Sequence, residues 1–239
     1  TMGTVIHETL EYLYKSFIGE ILTENSILTM LKTYESFVKK SFEKEYKNGD
    51  LSKGKNKLIL EVSKKYISRF LKQELRDVKN GKQIKVLGLE QKFSTKINIE
   101  TLEFPINIIG IIDRVDEVDG VLRIVDYKTG MVSATELKVS DFSILKEEFK
   151  YTKALQVLLY SYLYCQEKNI DYSQPIESGI ISFKNLNSGF LKLNFADGRN
   201  KDTFITKEKI DKFIIELKSI LSEIFNAEVP FEENMDKAF

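Results

Sequence analysis

The alternation of apolar and polar residues divides the chain into a helical front, a strand-rich middle and a mixed end. Val5, Ile6, Thr9, Leu10 and Leu13 recur at helical spacing, so residues 4–22 read as a helix. Residues 26–48 and 55–80 read as two more, with Gly49-Asp50 and Gly54 as breaks. Residues 83–105 read as a β meander. Residues 106–117 and 121–128 are β-branched and apolar and read as strands. Residues 131–151 are mixed, a loop with a short helix, and 152–169 form another helix. Two strands follow, near 177–184 and 189–196, separated by Asn185-Leu186-Asn187-Ser188. A helix over 206–226 comes last, and Val229-Pro230-Phe231 is expected to close the domain. No repeat or linker interrupts the chain, so residues 1–239 are expected to form one domain. The order predicts an α/β fold: a central mixed sheet flanked by helices, with a Lys-rich helical insertion at about 23–81 between the first helix and the sheet.

The junction of the two middle strands carries a register. Val118-Asp119-Gly120-Val121 places Asp-Gly where a two-residue type I′ hairpin prefers it. With Val118 opposite Val121, Asp116 falls opposite Arg123, a sensible ion pair. Asp113 falls opposite Asp126, with Cβ atoms about 4.5–5.5 Å apart. Lys128, two residues on, shares the face of Asp126. Like charges directly opposed destabilise a sheet. Their presence in an apolar setting calls for a cation or a shared proton, and clustered carboxylate oxygens suit Mg²⁺ or Mn²⁺. An Asp-x-Lys tripeptide alone is common, and an exposed hairpin with scattered charges is the plain alternative.

The stretch Gly110-x-x-Asp113-Arg114-x-Asp116, a hairpin, and Asp126-Tyr127-Lys128-Thr129-Gly130 resembles the core of the PD-(D/E)XK nucleases, and most resembles their RecB/AddB-type branch. Two further elements match that branch. Gly3-Thr4-Val5-Ile6-His7-Glu8-Thr9-Leu10-Glu11 is similar to its G-x-x-x-H-x-x-L-E helix, and His7 is the single histidine of the chain. Gln156 and Tyr160 share a helix face and match its Q-x-x-x-Y motif, which faces the catalytic cleft. The resemblance implies that His7, Asp113 and Asp126 hold Mg²⁺ or Mn²⁺ and that Lys128 is the catalytic lysine. Gln156, Tyr160, Tyr127, Thr129 and Glu90 become candidates for touching DNA or supporting the metal ligands. Glu90 matches a Glu often found before the Gly-x-x-Asp strand. Its alternative role is a structural pairing with Arg114, which the register points away from the site.

The same resemblance implies hydrolysis of DNA phosphodiesters, as an exonuclease domain in double-strand-break repair and recombination. Single-stranded ends would come from a helicase subunit or an upstream helicase-like domain. The abrupt start at the His7 helix reads as a fragment of a larger protein. Some relatives hold an iron–sulfur cluster with four cysteines; Cys165 is the only cysteine here, so no such cluster is expected within this chain. A standalone repair nuclease and a non-catalytic DNA-binding module with the same fold stay open.

Composition narrows the picture further. At 42% hydrophobic residues the chain builds a sizeable core. No apolar run has membrane-spanning length, and one cysteine precludes an internal disulfide framework, which suits the cytoplasm. Net charge is zero, yet residues 39–85 hold 15 Lys/Arg against 6 Asp/Glu. That stretch is a candidate phosphate-contacting surface or simply a solvated helix pair.

Overall fold

Strands form where β-branched residues dominate, and in a computed structural model of the chain five of them make one mixed sheet in the order β1-β2-β3-β4-β5. The model describes residues 1–46, 51, 53–196 and 201–231; the expected break at Gly49-Asp50 lies outside them. β1 (Ile84–Ile97), β2 (Ile106–Val118) and β3 (Val121–Lys128) are antiparallel in succession, β1 to β2 and β2 to β3. β4 (Ile176–Ser182) joins β3 in parallel, and β5 (Phe190–Lys192) is antiparallel to β4. Parallel neighbours need a crossover, and α5 (Thr152–Glu167) supplies it, preceded by the single-turn α4 (Ile144–Glu147). The architecture is the α/β sheet with flanking helices expected from the sequence.

Each sheet face is covered by a separate apolar cluster. On one side α1 (Met2–Tyr14), α2 (Glu24–Glu45) and α3 (Gly54–Lys79) bury Val5, Ile6, Leu10, Ile67 and Phe70 against Val125, Tyr127 and Ile181. On the other, α5 and α6 (Lys207–Ile224) bury Val157, Leu158, Ile210 and Phe213 against Ile112, Ile124 and Ile180. Adjacent residues of β3 thus face opposite cores. Among the described residues, no helix is long and apolar enough to cross a membrane.

The hairpin turn forms as the Asp-Gly pair predicts. Asp119 and Gly120 both take positive φ, 52° and 82°, as a type I′ turn requires. Val118 pairs with Val121, and Asp116 with Arg123.

Several expected boundaries differ. The first helix ends at Tyr14, with a 3₁₀ turn over Lys15–Phe17, instead of reaching residue 22. Gly19 (φ 87°) turns the chain, and the Gly19 and Leu22 amides donate to the Val86 and Ile84 carbonyls. Residues beyond the turn therefore cover the open edge of β1, whose backbone groups need partners. Residues 83–105 are not a meander: β1 is one 14-residue strand, paired with β2 from Ile84–Val118 to Ile97–Ile106, with a bulge between Val86 and Gly88. The last strand stops at Lys192, because Asn194 leaves β4 to pair with Lys138. Val229 and Phe231 do not close the core; Phe231 is 84% exposed.

Candidate active site

The β2–β3 hairpin opens where its two aspartates would meet. The ladder runs from Val118–Val121 to Arg114–Val125 and stops there, so the expected direct pairing of Asp113 with Asp126 is not made. Both side chains are nearly fully buried. Asp113 Oδ2 accepts the backbone N–H of Tyr127 at 2.6 Å, which turns its carboxylate out of the ladder. Asp126 is clasped by Lys128, whose Nζ hydrogen-bonds Oδ1 at 3.0 Å and lies 2.9 Å from Oδ2. Burial, and then the charge of Asp113, pushes the Asp126 carboxyl up to about 6 in spite of Lys128. Splaying the hairpin and giving each carboxylate its own donor is how the fold tolerates two acids at one point.

Two more groups arrive from outside the hairpin. Glu90 lies on β1 between the pairs Leu89–Arg114 and Gln91–Ile112, level with Asp113. Its φ of 46° is left-handed, a costly conformation for a residue with a Cβ and a recurrent one at functional sites. His7 comes from α1, whose start is fixed by a capping box on Thr1 and whose apolar face anchors it to the sheet. His7 Nδ1 lies 3.2 Å from Glu90 Oε1 and 3.5 Å from Asp113 Oδ1, and Nε2 lies 3.2 Å from the Tyr127 carbonyl. Burial opposes charge on this imidazole, but hydrogen bonds and negative charge from Asp113 and Glu90 outweigh it and raise the group to about 10.

One ligand atom each from His7, Glu90 and Asp113 lies within 4.8 Å of the others. An imidazole nitrogen with two carboxylate oxygens is a donor set for Mn²⁺ or Mg²⁺. Asp126 is not among these three: its carboxylate is held by Lys128, whose Nζ lies 2.9 Å from Oδ2. The Tyr127 carbonyl holds a proton on Nε2, which leaves Nδ1 as the ligand atom once the imidazole is neutral.

Lys128 is held from both sides. Its Nζ donates to Gln156 Oε1 at 2.8 Å, and Gln156 Nε2 donates to the Tyr160 hydroxyl at 2.8 Å. A lysine only donates, so the amide must turn its oxygen to Lys128 and its nitrogen to Tyr160. α5 gets this close because β2 has glycine at 110: a Cβ there would sit 2.7 Å from Leu163 Cδ1 and 3.2 Å from Tyr160 Cε1. Gln156 and Tyr160 stand behind the lysine. Of these groups Lys128 borders a cleft of about 630 Å³ between α1 and the end of β3, lined also by His7, Glu90, Tyr127 and Thr129. Lys44, bonded to Glu8, is the only Lys or Arg of residues 39–85 that lines it, among the described residues. Elsewhere in that stretch Lys64 pairs with Glu35 and Glu61, Lys79 with Glu24, and Lys82 with Asp77, so local acids take up part of the excess charge.

Tyr127 reaches the site through its backbone and through an edge contact of its ring with His7, the centroids 5.8 Å apart. Its ring is 2% exposed and packs against Phe70 and Phe183. Its hydroxyl accepts from Arg114 Nη1 at 3.4 Å, so the ring is not a surface for DNA. Arg114 points away from the cleft, and its partner is not Glu90. Nε bonds Asp116 Oδ2 at 2.6 Å, and Nη2 forms an ion pair with Glu74 Oε1 at 2.9 Å. Arg123 completes the pairing of Asp116, and Tyr14 donates to Glu74. Glu74 and Tyr14 were not among the residues singled out in the sequence. The available signal was a carboxylate continuing the buried stripe Ile67, Phe70 and Leu71 of α3.

The family model of the PD-(D/E)XK nuclease superfamily matches residues 1–236. Among curated proteins none matches the chain. A match that runs from the His7 helix through the hairpin to beyond α6 leaves no part of the cleft outside it: the chain belongs to the PD-(D/E)XK nuclease superfamily, and its activity is that of a metal-dependent nuclease acting on DNA.

Proposed function

We propose that residues 1–239 form one nuclease domain, an Mg²⁺- or Mn²⁺-dependent deoxyribonuclease of RecB/AddB type that digests single-stranded ends. In this reading it acts in the cytoplasm during double-strand-break repair and recombination, beside a helicase subunit or an upstream helicase-like domain. The motif order supports the reading: a His7 helix, Gly-x-x-Asp113, Asp126-x-Lys128 and Gln156-x-x-x-Tyr160. The observation that carries it is the convergence of His7, Glu90 and Asp113 within 4.8 Å, with His7 and Glu90 lining the cleft that Lys128 borders.

His7, Asp113 and Asp126 are the proposed ligands, and Glu90 joins them from β1. These residues would hold a divalent cation, which would supply neutralisation of the scissile phosphate and a lowered pKa for an attacking water. The chain's own groups do the rest. The Lys128 ammonium, oriented by Asp126 and Gln156, donates toward the charge that develops on the phosphate. Tyr160 keeps Gln156 from turning away, and the Tyr127 backbone aligns Asp113 and His7. Thr129 lies on the cleft wall, where a bound strand would pass.

The test uses 5′- and 3′-labelled single- and double-stranded DNA, with Mg²⁺, Mn²⁺ or EDTA. Short products released from linear single strands, with circular single strands spared, are expected. Cutting that persists in excess EDTA overturns the metal mechanism, and equal cutting of circles overturns the exonuclease assignment.

Metal binding is expected to depend on pH through His7. In the metal-free protein the imidazole, raised to about 10, is protonated at neutral pH. A cation binds only the neutral ring, so a proton must leave. Affinity should therefore fall about tenfold per unit as pH drops from 9 to 7, and about one proton should be released per Mn²⁺ bound at pH 7.5. Calorimetry in two buffers of different ionisation enthalpy measures that proton. Its absence in the parent, or its persistence in His7→Ala, counts against His7 as a ligand.

A further inference from the structure

Beyond Asp113 the β1–β2 pair continues as a two-stranded ribbon, because the β2–β3 ladder has ended at Arg114. One face of the ribbon is covered: Phe93 and Ile97 belong to the α5-side core, and Gly110 lies against Leu163 and Tyr160. Side chains alternate across a strand, so the intervening residues face the other way, toward the side on which α1 carries His7. There Lys92 pairs across the ribbon with Ile111, Ser94 with Ile109, and Lys96 with Asn107. All six are exposed, Ile109 and Ile111 to 50% and 49%. Neither Lys92 nor Lys96 has a carboxylate partner among the described residues. A solvated sheet face is ordinarily polar. Here two isoleucines lie in a row, flanked by two lysines that have no carboxylate partner among the described residues.

The row begins at the site. Lys92 is two residues from Glu90, and Ile111 is two residues from Asp113. Lys92 and Lys96 stand about 13 Å apart along the strand. The pattern fits one occupant, a single strand of DNA. Its phosphates pair with ammonium groups, and its unpaired bases offer apolar faces that a duplex keeps stacked inside. We propose that this outer face of the ribbon is the platform along which single-stranded DNA is led to the cleft. The proposal rests on the nuclease reading above and names the path of its substrate.

Binding of a fluorescent oligothymidylate to the full chain, measured by anisotropy in EDTA, separates the two ideas because no cutting is involved. Lys92→Ala combined with Lys96→Ala is expected to weaken binding at least tenfold, and to reduce the slope of log K on log salt by about 1.4, the value for two phosphates on a single strand. Ile109→Ser combined with Ile111→Ser is expected to weaken binding about tenfold at unchanged slope. Both variants should keep the parental Mn²⁺ affinity and melting temperature. Parental oligonucleotide affinity in both variants overturns the platform and leaves the face to a protein partner. Loss of Mn²⁺ affinity alongside DNA affinity overturns it too, since the face would then be supporting the site. A parent chain that binds DNA through these residues but never cuts with Mg²⁺ or Mn²⁺ sinks the nuclease reading and leaves the platform standing.

Discussion

Lys128→Met is expected to lower kcat for DNA cleavage by about 10²–10³, the loss associated with removing one preorganised donor from a developing negative charge. Methionine keeps much of the stem, so packing beside Gln156 survives and the effect isolates the ammonium. A second change comes with it. Lys128 is the cation that holds the buried Asp126 carboxyl down against burial and the charge of Asp113. Without it, Asp126 should hold its proton to higher pH, and the acid limb of the pH–rate profile should move upward. A purely structural lysine would leave that limb in place. Lys128→Arg keeps the charge but not the compact three-donor head that Asp126 and Gln156 grip. It should therefore fall with the methionine variant. Wild-type rates in either variant, with an unmoved acid limb, would remove Lys128 from the mechanism.

Arg114→Met is expected to cost about 3–5 kcal/mol of folding stability, the range for breaking a buried pair by removing one partner. Arg114 is fully buried, and two carboxylates depend on it. Asp116 retains Arg123, but Glu74 is left with the Tyr14 hydroxyl alone. Glu74→Gln in the same chain should recover much of the loss, because a neutral amide no longer leaves a buried charge uncompensated. Urea unfolding of the two single variants and the double variant measures this coupling. Additive effects would show that Arg114 and Glu74 act independently. The arginine also pins the Tyr127 hydroxyl, and the Tyr127 backbone aligns Asp113 and His7. Weaker Mn²⁺ binding should therefore accompany the lost stability.

These two residues show how unevenly the site could be read from the chain. Lys128 was legible because everything that places it is local: an Asp-Gly turn, two β-branched strands and a period of two. The Gln156–Tyr160 pair was legible for the same reason, as one turn of helix, although its contact with Lys128 depends on the glycine at 110. Glu90 is less legible. Its strand reads as part of a meander, and its left-handed backbone, which turns the carboxylate toward His7, leaves no periodic trace. Glu74 escaped altogether, because a single carboxylate on the apolar stripe of α3 acquires meaning only with Arg114 opposite it.

The division follows from the range of the forces involved. Backbone sterics, turn chemistry and side-chain periodicity act over a few residues, so the sequence by itself determined the hairpin, its register up to Arg114, most helices and the Asp-x-Lys motif. It also determined that His7 was the one imidazole available. What only the tertiary structure decided is where long-range packing meets charge. Buried carboxylates cannot lie side by side uncompensated, so the ladder stops before Asp113 and Asp126. Asp113 turns to the Tyr127 amide and His7, and Asp126 turns to Lys128. The candidate cation site is therefore assembled from a helix, a neighbouring strand and an opened hairpin whose residues lie far apart in the chain. Only the folding of α1 onto the sheet brings them within reach of one ion.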